Sequence, residues 1–468
     1  MNNSIRQQQW KRVHKLRKIG WISALSLTSG SLLYYYINQN TLKRDPLFKS
    51  NKLIINNNKT KKILITDPLY TDQFIPHSIL ASNNEKKSKF FGLLQQVPLP
   101  ILPQNNIKDI LTLTNGDNTK IGYYIDSRGD LYKWDEKNKT TDKILSNYNL
   151  TSIKYSNNQI YSLSQDGNIY IFPTNDPNLL KSFYSKSRLP FISDYYNHKI
   201  EKIDNNKIIQ FDTGKNHLLY INNKGKAFAV PTNSQIEKFE QFGIIMGDDE
   251  SSPQLSINKS IDLILLNNEL SLIENKMIPR KIIKIACGEN HSIGLTANGD
   301  ILTFGNNKFG QLGHPILNFN HLNIPFPKQI SPQRFKPYGI NEKPIDIFAM
   351  ANTSFILLSN NILLSLGDGQ LGQLGNNTYK TFQCDPTRVK FDGKIKSLQT
   401  NSLSNHGLII DDENSIWSFG NNTQGQLMLG NHYSQSKPVK LNTLPSNLDK
   451  DKLIVSTTTT TSTLTINT

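Results

Sequence analysis

From about residue 88 onward, apolar and polar positions alternate in short runs, and each run is broken by a Gly- or Asn-containing turn. Alternation with a period of two puts every second side chain on one face, the mark of a half-buried β-strand. A larger unit recurs six times: alternating strand, tight polar turn, alternating strand. The copies are IGYYIDSRGDLYKW (121–134), IYSLSQDGNIYIFP (160–173), GKNHLLYINNKGKAFAVP (214–231), CGENHSIGLTANGDILTFGNNKFGQLG (287–313), SFILLSNNILLSLGDGQLGQLG (354–375) and NHGLIIDDENSIWSFGNNTQGQL (405–427). Gly and Asn tolerate the positive φ that tight hairpin turns demand, so each copy predicts a β-hairpin.

A second signature follows the hairpins. Gly310-Gln311-Leu312-Gly313 returns as Gly372-Gln373-Leu374-Gly375, is frayed to Gly425-Gln426-Leu427, and has a worn version in Glu240-Gln241-Phe242-Gly243. Long, unequal spacings between these glutamines indicate a blade-like repeat carrying inserted loops. The fourth copy resembles the repeat of the regulator of chromosome condensation family, I-A-x-G-x-x-H-S-L-A-L-T-x-D-G-x-L-Y-x-W-G-x-N-x-x-G-Q-L-G. The matching residues are Ile285, Ala286, Gly288, His291, Ser292, Leu295, Thr296, Gly299, Leu302, Phe304, Gly305, Asn307, Gly310, Gln311, Leu312 and Gly313. Gly214 and His217 carry the pattern in the third copy, Gly372, Gln373 and Gly375 in the fifth, and His406, Gly420 and Gly425 in the sixth; the first two copies keep only the hairpin.

The resemblance covers 88–468 and implies an all-β fold, a seven-bladed β-propeller of RCC-type repeats, with insertions at 174–207, 232–275 and 315–344. Six copies leave one blade to be supplied. The β-branched tail KLIVSTTTTTSTLTINT (452–468) is a candidate for its strands, with SKFFGLLQQVPLPILP (88–103) completing it from the N-terminal side.

Charge separates the N-terminus from the rest. Residues 1–44 hold eight Lys or Arg and no Asp or Glu, which is half of the chain's net +16. Residues 1–18 are basic and acid-free, the profile of a mitochondrial targeting segment. The uncharged stretch 19–37, IGWISALSLTSGSLLYYYI, would span about 28 Å as a helix, enough for a bilayer core. It predicts a single N-terminal transmembrane helix anchored by Ile19, Trp21, Leu25, Leu27, Leu32, Leu33, Tyr34, Tyr35, Tyr36 and Ile37, the tyrosines lying at the interface. Residues 38–87 read as a linker and irregular lead-in. The expected location is the mitochondrial inner membrane, on a side the sequence leaves open; the competing address is a type II anchor of the secretory pathway.

Candidate chemistry is sparse. No G-x-x-x-x-G-K-[ST] occurs, so the glycine runs are not phosphate loops. His217, His291 and His406 hold one repeat position in separate blades, which favours a structural role over a metal ring, and Cys287 and Cys384 form no ligand pair. Asp248, Asp249 and Glu250, in the long insertion, read as a solvated loop or a partner contact. No nucleophile elbow appears, and the mildly basic body has no basic–aromatic patch for nucleic acid. The expectation is no cofactor, no metal and no catalysis: a membrane-anchored protein-binding scaffold. The resemblance implies a role in assembling a respiratory-chain complex, with the cytochrome bc1 complex as the specific candidate and membrane-complex subunits or assembly factors as partners. Its alternatives are a guanine-nucleotide exchange factor for a small GTPase and a mitochondrial RNA- or ribosome-associated factor.

Overall fold

The computed structural model describes residues 62–66, 94–97, 107–114, 120–135, 138, 140–174, 201–203, 207–233, 241–243, 256–271, 275–316, 322–441, 453–458 and 462–466, all within the unit Leu53–Thr468. The basic segment 1–18, the candidate anchor residues at 19–37 and Asp248, Asp249 and Glu250 lie outside the described residues.

Six four-stranded antiparallel blades are each built from one contiguous stretch: 107–145, 150–203, 208–262, 282–329, 344–388 and 395–440. In every one the strands pair in chain order. The fourth is representative, with an inner strand Ile282–Cys287, a second strand His291–Thr296, a third strand Ile301–Asn306 and an outer strand Asn323–Gln329. Its second and third strands are buried at every position, whereas the inner strand is exposed at Ile283 and half-buried at Lys284, and the outer strand is fully buried nowhere. A strand flanked on both sides by other blades must be apolar on both faces, and one at an edge need not be. Each inner strand also bulges after its first residue, at Ile107, Leu150, Ile208, Ile282, Pro344 and Ile395.

The core lies between blades. Leu219, Ile221, Ile285 and Phe304 join the third to the fourth. Ile293, Leu295, Ile347 and Ile356 join the fourth to the fifth. Phe355, Leu363, Leu398 and Ile409 join the fifth to the sixth.

The expectation of a seven-bladed propeller of repeats behind a transmembrane helix is corrected on two points. The repeat supplies six blades. The gap between the sixth and the first is filled by a sheet of a different kind, pieced from both ends of the chain in the order Leu94–Val97, Lys62–Thr66, Ser462–Ile466, Leu453–Thr457. Lys62–Thr66 pairs antiparallel with Ser462–Ile466, which joins N-terminal to C-terminal chain. Val455 packs with Leu408 and Ile416 of the sixth blade, and the Thr463 hydroxyl bonds that of Thr112 in the first at 3.0 Å. The second point is the helix: among the described residues no helix is long and apolar enough to cross a membrane.

The three insertions are not loop throughout: each contains its blade's outer strand, Glu201–Ile203, Ile261–Asp262 and Asn323–Gln329. After Ile261–Asp262 comes a short helix, Ile264–Asn267, and a free-standing hairpin, Asn268–Ser271 with Lys276–Pro279. After Asn323–Gln329 comes a 3-10 helix, Pro332–Tyr338, whose Phe335 is buried in the core between the fourth and fifth blades. Arg334 pairs with Asp385 at 2.8 Å and the Tyr338 hydroxyl donates to the Pro386 carbonyl at 2.6 Å, so this helix braces the fifth blade's outer strand.

Deleting 453–468 removes two strands of the closing sheet and uncovers Leu408 and Ile416. The expected outcome in differential scanning calorimetry is a sharp fall in Tm; an unchanged Tm contradicts the closure.

Candidate functional site

The candidate histidines sit where the inner strand turns into the second strand. In the fourth blade Gly288 N–H donates to the His291 carbonyl at 2.9 Å, closing that turn. The imidazole then folds back onto Gly288, where a Cβ would lie 2.0 Å from His291 Cε1. Gly214 and His217 repeat the arrangement, with the same 2.0 Å clearance. Only a residue without a side chain admits the ring. In the sixth blade Leu403 stands three residues before the histidine instead of glycine, and the Ser404 hydroxyl stands 2.7 Å from His406 Nδ1.

Each imidazole reaches across to the next blade. His217 Nε2 is 3.1 Å from Ser292 Oγ, His291 Nε2 is 2.9 Å from Ser354 Oγ, and His406 Nε2 is 2.9 Å from Ser462 Oγ in the closing sheet. Each hydroxyl also donates back, to the carbonyls of Gln241 (3.0 Å), Gln311 (2.8 Å) and Gln426 (2.8 Å) respectively. A hydroxyl has one proton to give. In the first two pairs the serine spends it on the carbonyl, so Nε2 must carry the imidazole proton and His217 and His291 are the neutral Nε2–H tautomer. Burial pushes His217 and His291 down to about 3, which keeps them neutral.

The relay is not universal. In the fifth blade Thr353 stands where histidine is expected and donates to the Asp368 carbonyl at 2.8 Å. In the sixth, Gly407 stands where serine is expected.

The Gly-Gln-Leu-Gly loops lie beside the relay. Gln311, Gln373 and Gln426 fold back so that Oε1 accepts the backbone N–H two residues earlier, at 2.9, 2.7 and 2.8 Å. Gly310, Gly313, Gly372, Gly375 and Gly425 all have positive φ, as do Gly305 and Gly420 at the ends of their third strands. Sequence reasoning passed over a hydroxyl two residues before that last glycine. Thr303, Ser365 and Ser418 donate to the loop leucine carbonyls Leu312, Leu374 and Leu427 at 2.7, 2.6 and 2.9 Å. The signal was a Ser or Thr at one position in three copies.

Ionisable groups on the inner strands also serve neighbouring blades. Lys154 pairs with Asp212 at 3.2 Å, and Lys284 pairs with Asp346. Asp212 also accepts Cys287 N–H at 2.9 Å. Asp109 accepts Ile153 N–H at 2.8 Å, and burial pushes its carboxyl up to about 6. Among the described residues no group of three or more His, Cys, Asp or Glu could hold a metal ion.

The loop side of the ring exposes aromatic side chains. Tyr379, Phe382 and Tyr433 are exposed there, and the Tyr379 hydroxyl spans from the fifth blade to the Ser434 carbonyl of the sixth at 2.9 Å.

These features define a β-propeller of repeated blades tied by a buried polar relay, with loops that project from one side. Models of the regulator of chromosome condensation (RCC1) repeat match residues 282–311 and 413–456. The mitochondrial protein FMP25 of Saccharomyces cerevisiae is 32% identical over 471 residues, spanning 90% of this chain and 78% of that protein. The ultraviolet-B receptor UVR8 of Arabidopsis thaliana is 31% identical over 160 residues, spanning 34% of this chain and 33% of the receptor. Among solved structures, human WBSCR16 superposes with a TM-score of 0.59 at 10% identity, covering 88% of this chain and all of that one. Yeast RCC1 (Prp20), solved with Kap60, gives 0.57 at 17% identity, covering 90% and 96%. The chain belongs to the regulator of chromosome condensation repeat family.

Between pH 6.5 and about 3 the folded His217 and His291 bind fewer protons than they do unfolded. Stability therefore falls as pH drops below 6.5, by about 1.4 kcal/mol per pH unit for each histidine. His291→Gln keeps a donor and removes one titration. Urea unfolding at pH 7 and pH 5 is expected to give a shallower pH dependence for the variant; an equal dependence contradicts a buried neutral ring.

Proposed function

We propose that this protein is a non-enzymatic, membrane-associated scaffold of mitochondria. Its loop side binds other proteins and supports assembly of a respiratory-chain complex, with the cytochrome bc1 complex as the specific candidate. The observation that carries the reading is the similarity along 90% of the chain to a yeast protein named as mitochondrial. The acid-free basic stretch at 1–18 supports the same address. A protein partner is supported by the exposed Tyr379, Phe382 and Tyr433, since aromatic residues are enriched at protein interfaces. The non-enzymatic reading is supported by the engagement of the buried His217, His291 and Asp109 in bonds between blades.

The test is deletion of the gene, with the cytochrome bc1 complex quantified by native electrophoresis. The expected result is a several-fold loss, restored by the wild-type chain and not by Tyr379→Ala with Tyr433→Ala. Normal levels in the deletion contradict the assembly role.

A further inference from the structure

The other side of the ring, where inner strands begin, has a different chemistry. The residue just before the inner strand is Lys207, Lys281, Lys343 and Lys394 in four consecutive blades. Their carbonyls accept the first N–H of their own blade's hairpin turn, from Asn223, Ala297, Ser359 and Asp412, at 2.8 to 3.0 Å. This shared bond puts the four at one level of the ring. All four side chains are exposed, and no ion pair among the described residues engages them.

The bulge two residues further on pushes one more side chain out. It is isoleucine in the third, fourth and fifth blades: Ile209, Ile283 and Ile345, exposed by 54%, 44% and 52%. Lysine takes the same place at Lys108 and Lys396 in the first and sixth. Segments leading into the fourth and fifth blades add exposed aliphatics on this side, Ile278 in the free hairpin and Ile340, the latter 86% exposed. Among the described residues, acids on this side of the third to fifth blades have partners: Asp262 with Lys226, Glu269 with Arg280, Asp300 with Gln329, Glu342 with Ser359 and Asp392 with Arg388. The sixth-blade turn adds exposed Asp412 and Glu413, so the basic arc is strongest on the third to fifth blades.

We infer that this side docks on an anionic lipid bilayer, with the isoleucines at the headgroup–acyl boundary and the lysines on lipid phosphates. Protein interfaces favour aromatic residues and Arg and are depleted in Lys. Here the exposed set is aliphatic and Lys, while the exposed aromatics Tyr379, Phe382 and Tyr433 occupy the opposite side and Phe326 lies on the fourth blade's outer strand. Lys with aliphatic residues on one face is the composition of interfacial membrane binding. Residues repeated at one level of a ring lie near one plane, which suits a planar surface. The docking needs no membrane-spanning segment and does not depend on which complex the loop side serves.

Residues 1–44 are themselves basic, so whole-chain sedimentation cannot isolate this side, and the readout must be local. The full chain carrying Cys384→Ser is labelled at Ile283→Cys, or at Tyr379→Cys, with an environment-sensitive fluorophore; the remaining Cys287 is fully buried. Phosphatidylcholine vesicles are added with and without phosphatidylglycerol. The expected result is a blue shift at 283 with the anionic vesicles alone, reversed by salt, and none at 379. Lys207→Glu, Lys281→Glu and Lys343→Glu together should raise the lipid concentration at half-shift by about a hundredfold. A silent probe at 283 while the chain is vesicle-bound, or equal shifts at both positions, overturns the inference; the first outcome leaves this side to an acidic protein.

Discussion

A propeller blade cannot bury itself. Strands such as His291–Thr296 and Ile301–Asn306 are buried at every position on both faces, and each face needs a neighbouring blade to cover it. An open row of six would leave two such faces in water, so the fold depends on ring closure. The chain meets that demand by pairing its two ends in one sheet, with Lys62–Thr66 against Ser462–Ile466. The closing sheet contributes apolar contact through Val455 and polar contact through Ser462 and Thr463. Both neighbours are therefore engaged by the terminal strands, and the last blade interface is made like the others.

The histidine relays at those interfaces are arranged to carry no charge, unlike the ion pairs Lys154–Asp212 and Lys284–Asp346. The serine hydroxyl's single proton fixes the direction of each relay, and the direction fixes the histidine tautomer. A neutral hydrogen-bonded pair avoids the desolvation cost of a buried ion. Where Thr353 and Gly407 break the relay between the fifth and sixth blades, apolar contact replaces it. Phe355 and Phe419 meet edge to face with ring centroids 6.0 Å apart, and Met350 is buried in the same cluster. The repeat thus tolerates loss of its polar signature where aromatic packing covers the gap.

The hairpins of all six contiguous blades were legible in the sequence because alternation and turn residues are local signals. The fourth blade was the clearest, since Gly288, His291 and Gly305 each meet a steric or bonding demand that few other residues satisfy. The tail's part in closing the ring was readable from its β-branched run. Its partner Lys62–Thr66 was not, because five residues inside an Asn- and Lys-rich stretch carry too little periodicity to stand out. The partners of the histidines were also hidden: Ser292, Ser354 and Ser462 lie 75, 63 and 56 residues away from them. The two chemically distinct sides of the ring were hidden for the same reason, since Lys207, Lys281, Lys343 and Lys394 come together only when the blades are set side by side.

Closure through the terminal strands is the central claim, and native-state hydrogen exchange measures it directly. The account predicts that the paired amides of Lys62–Thr66 and Ser462–Ile466 open with the same free energy as the inner strand Ile107–Thr114 of the first blade, as one cooperative unit. Exchange of the two terminal strands at far lower free energy, with the first and sixth blades still protected, contradicts it.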